Sequence, residues 1–199
     1  MAKSLSGTGI LIYDETNTGL ALDCTITNGT IPTTASTFAP GCRVSDQSTG
    51  IVYINQGTAA VPAWQAQKLS KTVALTAAQL IAMYTTPVEV VAAVPGMSII
   101  VDSVDFDITR TATAFTGGGV VAVQYGTTAN GGGTATTATI AAATVTGAAG
   151  RTVTARIPVV QSDIASASIV GISLCISNAT AAFAAGTGTA SVTVSYHLV

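Results

Sequence analysis

The sequence predicts an all-β protein: an antiparallel β-sandwich of jelly-roll type with one short helix, preceded by a β-hairpin-rich N-terminal arm. Three observations carry this. Apolar or alternating runs of roughly four to eight residues recur along the chain, which is the length and period of strands. Gly, Asn and Pro punctuate the runs at hairpin intervals. A single segment, Thr76-Ala-Ala-Gln79, carries helix-start chemistry. No period of about 20–50 residues repeats, so a solenoid is not supported.

Gly9 to Tyr13 and Leu20 to Ile26 read as the first strands, with turn signals at Asn17-Thr18-Gly19 and Asn28-Gly29. Thr30 to Pro40, rich in Thr and Pro, reads as irregular. Gly41 to Val44 and Ile51 to Asn55 form a hairpin turning at Ser48 to Gly50, followed by a loop that ends on Trp64. Residues 1–67 form an arm or small subdomain with too little apolar material for a strong core alone, and residues 68–199 form the sandwich.

The helix begins at a capping box, in which the Thr76 hydroxyl and the Gln79 side chain satisfy each other's orphan backbone donors. Leu75 and Leu80 stand where a hydrophobic staple needs them. Pro87 stops it, because the residue before a proline avoids the α region. Val88 to Val94 then leads into Pro95-Gly96, a turn dipeptide. Met97 to Thr109, Val120 to Tyr125, Ala138 to Val145, Arg151 to Pro158, Ser168 to Ile176 and Ala190 to Leu198 complete the strands. Alternation is cleanest around Phe106: Val104, Phe106 and Ile108 face inward, and Ser103, Asp105 and Asp107 face out.

Composition excludes several function classes. Seven basic and nine acidic residues give a net charge of −2, with 8% of residues charged; an ordinary soluble domain carries about 25%. Ala and Thr make up about a third of the chain. Mean hydropathy is +0.57, yet no apolar run approaches the roughly 18 residues that span a bilayer. Seven scattered cations form no basic stripe, so neither nucleic acid nor membrane is an expected partner. A chain so short of charge must cover itself with Thr, Ser, Ala and Gly or bury surface against neighbours. After Met1 and Lys3 the sequence has no apolar leader core, so assembly in a cytoplasm is expected.

Candidate chemistry is sparse, and no enzyme activity and no cofactor are expected. The only histidine is His197, on the last strand, and no nucleophile-elbow, phosphate-loop or His-Glu-x-x-His motif occurs. Asp105 and Asp107 share a strand face, which makes them weak candidates for a hard cation such as Ca²⁺. Their ordinary role is to keep an uncharged face wet and discourage edge pairing. Asn28-Gly-Thr30 and Asn178-Ala-Thr180 match the glycosylation pattern, as chance allows in a Thr-rich chain. Cys24, Cys42 and Cys175 read as buried free thiols, with a Cys24–Cys42 disulfide as the alternative. Tyr53, Asn55, Trp64, Arg151 and Arg156 are candidate interface residues. Trp64 and Tyr53 are amphipathic anchors, and the two arginines flank one strand and can pair with a neighbour's carboxylates. Tyr125 reads as core.

Two stretches resemble a known class. Gly41-Cys-Arg-Val-Ser-Asp46-Gln-Ser-Thr49-Gly50-Ile-Val-Tyr53-Ile-Asn55-Gln-Gly57-Thr58-Ala-Ala-Val-Pro62-Ala-Trp64 resembles a segment of structural proteins of tailed bacteriophages. Leu75 to Pro87-Val, followed by Val94-Pro-Gly96, is similar to the helix-then-strand entry of phage head-decoration and fibre-type β domains. Together they cover about a quarter of the chain. The resemblance implies a virion protein of the head-decoration (cement) type, binding the outside of a capsid as a homotrimer with the major capsid protein as partner. No collagen-like or coiled-coil region is present, so an extended fibre shaft is not expected. A tail-tip or receptor-binding protein is the nearest rival, and would need an aromatic-lined groove where this chain is 5% aromatic. An exported adhesin or pilin subunit would need a signal peptide.

Overall fold

The computed structural model describes residues 3–5, 9–13, 20–26, 30–32, 37–157, 164 and 168–199. The expected turns at 17–19 and 28–29 lie outside them, as do Pro158 and the side chains of 3–5, 9–13, 21 and 155–157. The chain divides into two compact units, Met1–Gln67 and Lys68–Val199.

The first unit is one six-stranded sheet in chain order: β1 (Lys3–Leu5), β2 (Gly9–Tyr13), β3 (Ala21–Ile26), β4 (Phe38–Asp46), β5 (Ile51–Asn55) and β6 (Trp64–Ala66). Every neighbouring pair is antiparallel except β3 and β4, which run parallel. A parallel step needs a connection longer than a hairpin, and eleven residues separate the end of β3 at Ile26 from the start of β4 at Phe38. β4 begins at Phe38, inside the stretch expected to be irregular. Pro40 is tolerated there because the β3–β4 register shifts between Ala21 and Asp23, where no ladder N–H is required of it. Cys24, Ile26, Phe38, Cys42 and Val44 form a small core with Ile31, Tyr53 and Trp64 packed on it, so the segment expected to lack a strong core holds a modest one.

The second unit holds two four-stranded antiparallel sheets, ordered β13-β9-β16-β7 and β12-β11-β14-β8. Their strands are β7 (Leu69–Thr76), β8 (Val88–Val91), β9 (Ile99–Arg110), β11 (Val121–Tyr125), β12 (Thr134–Ala135), β13 (Gly150–Ile157), β14 (Leu174–Asn178) and β16 (Gly188–Leu198). A short pair, β10 (Thr116–Gly117) with β15 (Phe183–Ala184), lies apart from them in pairing. Counting the eight main strands in order, one sheet takes the first, eighth, third and sixth, and the other the second, seventh, fourth and fifth. That interleaving of two Greek keys is the jelly roll.

The alternation in β9 is as the sequence requires: Val104, Phe106 and Ile108 are buried, while Ser103, Asp105 and Asp107 are not. At its start, Ser103 pairs with Ser195 but Val101 pairs with Tyr196. Asp102 is therefore an extra, bulged residue, and the buried face resumes at Val101 and Ile99. Tyr125 is buried, and its hydroxyl donates to the Ile99 carbonyl at 2.5 Å.

Helix α1 (Ala77–Ala82) has both halves of the capping box, with Gln79 N–H donating to Thr76 Oγ1 and Thr76 N–H donating to Gln79 Oε1. Leu75 and Leu80 are both buried. Three corrections apply to the rest. The expected strand over Ser168 to Ile176 starts only at Leu174 and runs to Asn178, with an isolated bridge at Val170 before it. The expected strand over 138–145 is instead a bridge at Ile140 and a second helix, α2 (Ala142–Thr146). The Ala-rich stretch favours helix, and Arg110 donates to carbonyls in it and just beyond it: Nη1 to Thr144 O at 2.5 Å and Nε to Ala148 O at 2.7 Å. β7 is a strand that the reading of Leu75 and Thr76 as a helix entry passed over. Among the described residues, no helix is long and apolar enough to cross a membrane.

Candidate functional site

The richest polar constellation lies in the 41–64 segment of the first unit. Asp46 ends β4, is 2% exposed, and organises the hairpin turn. Its Oδ1 accepts from Ser48 N–H at 2.9 Å and Ser48 Oγ at 2.7 Å, and its Oδ2 accepts from Thr49 Oγ1 at 2.8 Å. The Gly50 N–H closes the turn on the Asp46 carbonyl at 2.8 Å, with Gly50 at φ 73°. An Asp that binds the backbone two residues on is an Asx-turn, which explains the Asp-x-Ser-Thr-Gly spacing.

Asn55 does the same at the other end of β5. It is 2% exposed, and all of its amide's bonding positions are used inside the chain. Nδ2 donates to Phe38 O at 3.4 Å and Ala39 O at 3.1 Å, and Oδ1 accepts from Gly57 N–H and Ala63 N–H, each at 2.9 Å. Gly57 is required by space: a Cβ there would stand 2.3 Å from Val61 O and 2.6 Å from Ala63 N. Thr58 Oγ1 accepts from Val61 N–H at 3.1 Å. Trp64 then closes the segment. Its ring meets Phe38 edge-to-face, with centroids 5.3 Å apart at 73°, and Nε1–H donates to Pro32 O at 2.7 Å.

Asn55 is thus buried, with its amide used within its own unit. Trp64 anchors within its own unit while remaining half-buried. Tyr53 is half-buried on the same core, and burial, with Asp46 nearby, pushes its hydroxyl above the usual range. The residues that carry the phage-like resemblance are bound to one another, so the motif specifies a folding element.

In the second unit, Arg151 pairs within its own chain. Its Nη2 lies 2.5 Å from Asp107 Oδ2, and Nε is 3.1 Å from both carboxylate oxygens. The hydrogen bonds from Arg151 hold the Asp107 carboxyl below its ordinary value. Asp107 therefore faces a guanidinium of its own chain, and Arg151 remains largely exposed. Asp105 lies on the same outward face. No group of three or more His, Cys, Asp or Glu side chains able to hold a metal occurs among the described residues. Arg156 falls in β13, and its side chain is outside the described set. His197 Nδ1 lies 3.3 Å from Asp102 Oδ2, and Lys68 Nζ lies 3.6 Å from Asp102 Oδ1. The bulge in β9 is what turns Asp102 toward both.

Around these groups, the outward face of β9, β16 and β7 is an array of small hydroxyls. Register aligns Thr109, Thr189 and Thr76, then Asp105, Thr193 and Thr72, then Ser103, Ser195 and Ser70. Thr72 and Thr193 share a hydrogen bond at 2.8 Å.

The three thiols are buried and free. Register places Cys24 opposite Val44, with Cys42 two residues away along β4. Burial, with Cys24 and Asp23 adding to it, pushes the Cys42 thiol up to about 12. Asn178 is fully buried, so its sequon is closed to modification in the folded chain; Asn28 lies outside the described residues.

Comparison with known proteins returns nothing: no family description, no curated protein and no solved structure matches this chain.

Proposed function

We propose that this chain is a structural virion protein that binds the outside of a phage capsid as an oligomer and stabilises the shell. The observation that carries this reading is how the polar residues are used. Asp46, Asn55, Trp64, Arg110 and Arg151 are each spent on intrachain bonds that hold strands, turns and a helix in place. What faces outward on the β9–β16–β7 face is mostly small Ser and Thr hydroxyls, with Asp105 and the Asp107–Arg151 pair among them, a surface able to lie against other proteins. Jelly rolls recur in viral capsid and lectin domains, and a fold by itself does not imply function. The phage-like 41–64 segment supplies the remaining support. Contact with the major capsid protein would bury apolar and hydroxyl surface at roughly 25 cal/mol per Å² before association costs.

The test is direct. Purified protein added to undecorated capsids should bind at saturating stoichiometry and raise the temperature at which they release DNA. Capsids that neither bind it nor gain heat resistance refute the proposal.

A further inference from the structure

The jelly roll has four sheet edges, and three are protected. β8 has four residues and β12 two, both short for an edge that could recruit another strand. β13 has a register irregularity between Thr154 and Ile157, which breaks a regular template. β7 is different. All eight of its residues pair with β16 in unbroken register, it contains no proline, and Lys71 is its only charge. Among the described residues no strand pairs with its other side. An eight-residue edge in unbroken register, with one lysine as its only charge, is a template for strand addition.

We infer that β7 is a self-association edge, pairing antiparallel with β7 of a second copy about a two-fold axis through Val73. An isologous contact must be self-complementary, and this segment is. With Val73 on the axis, Thr72 faces Ala74, Ser70 faces Thr76 and Lys71 faces Leu75. No like charges meet, and each facing pair shares a side of the sheet. The joined sheets run as one through two copies, and the outward rows of Ser and Thr continue across the seam. This inference does not depend on capsid binding.

The test uses the full chain. Sedimentation velocity should show a species with an even number of copies, dissociating on dilution. The double variant T72K/A74K places lysine opposite lysine at two pairs on an exposed face, and should weaken association at least about tenfold while leaving the far-ultraviolet circular dichroism unchanged. Val73→Cys should cross-link to a dimer under mild oxidation, and Val153→Cys, exposed on the opposite edge strand, should not. A full chain that stays monomeric at every concentration overturns the inference, whatever then covers β7. So does a trimer that ignores T72K/A74K and leaves Val73→Cys uncross-linked, a result that would leave the capsid-stabilising proposal standing.

Discussion

Asn55 is where one side chain does most for local structure. Its amide serves two carbonyls and two N–H groups across three segments of the first unit. Asn55→Ala leaves those groups to find other partners in a buried place, at a cost of about 3 kcal/mol. Urea unfolding of the first unit should show that loss, and Asn55→Asp should not restore it, since a carboxylate cannot donate to Phe38 O and Ala39 O. Asp107 makes a second test at this scale. Its carboxyl titrates below the ordinary carboxylate range because Arg151 bonds it, so the pair's contribution is present above the unfolded value and is lost as pH falls through the folded one. Titration of the carboxylate by NMR should show the depressed value, and Arg151→Met should return it to the ordinary carboxylate range. The thiols run the other way. Cys42 is pushed up from 9.0 to about 12, so the unfolded chain releases its proton first and stability declines as pH rises through that window. Native protein should resist a thiol reagent at neutral pH and react at all three cysteines once denatured.

Among elements, α2 depends most on a distant residue. It has no side-chain N-cap bond, and Arg110 from β9 binds its Thr144 carbonyl and the Ala148 carbonyl just beyond it, while Arg110 Nη2 also donates to Thr152 Oγ1 at 2.7 Å. Arg110→Lys keeps the charge and loses the planar fork. It should cost about 2–4 kcal/mol and expose the amides of α2 to hydrogen exchange before those of β9 or β16. By contrast α1 carries its own start signal, which is why Thr76 and Gln79 were readable in advance and α2 was not. Ala138 to Val145 is apolar enough for either state, and the choice falls to Arg110 and to the bridge between Ile140 and Val121. β7 escaped notice for a related reason. Lys71 interrupts the alternation of Leu69, Val73 and Leu75, and only pairing with β16 makes the segment a strand.

For the whole molecule, two compact units of unequal size have different expectations. Residues 68–199 contain a complete jelly roll and should fold when expressed alone, with the near-ultraviolet spectrum of a packed core. Among the described residues of 1–67, five buried apolar side chains form one cluster, a modest core for a domain of that length. Calorimetry of the full chain should resolve two transitions, and Asn55→Ala should lower the midpoint of only one. A single transition lowered as a whole by that substitution would mean that the units unfold together.

Legible in the sequence alone were the all-β class, the Phe106 alternation, the α1 cap and the hairpin at Ser48 to Gly50. Each is written in residues near one another in the chain, through side-chain period, Asx and capping chemistry, and turn residues. Tertiary structure alone decided that Asn55 and Trp64 look inward, that Arg151 is taken by Asp107, that β3 and β4 run parallel, and that 142–146 is helical. These depend on which groups meet across long separations, such as Trp64 with Pro32 or Arg110 with Ala148. A side chain's hydrogen-bonding capacity is visible in the sequence. Which partner satisfies it is settled only when burial removes water as the competitor.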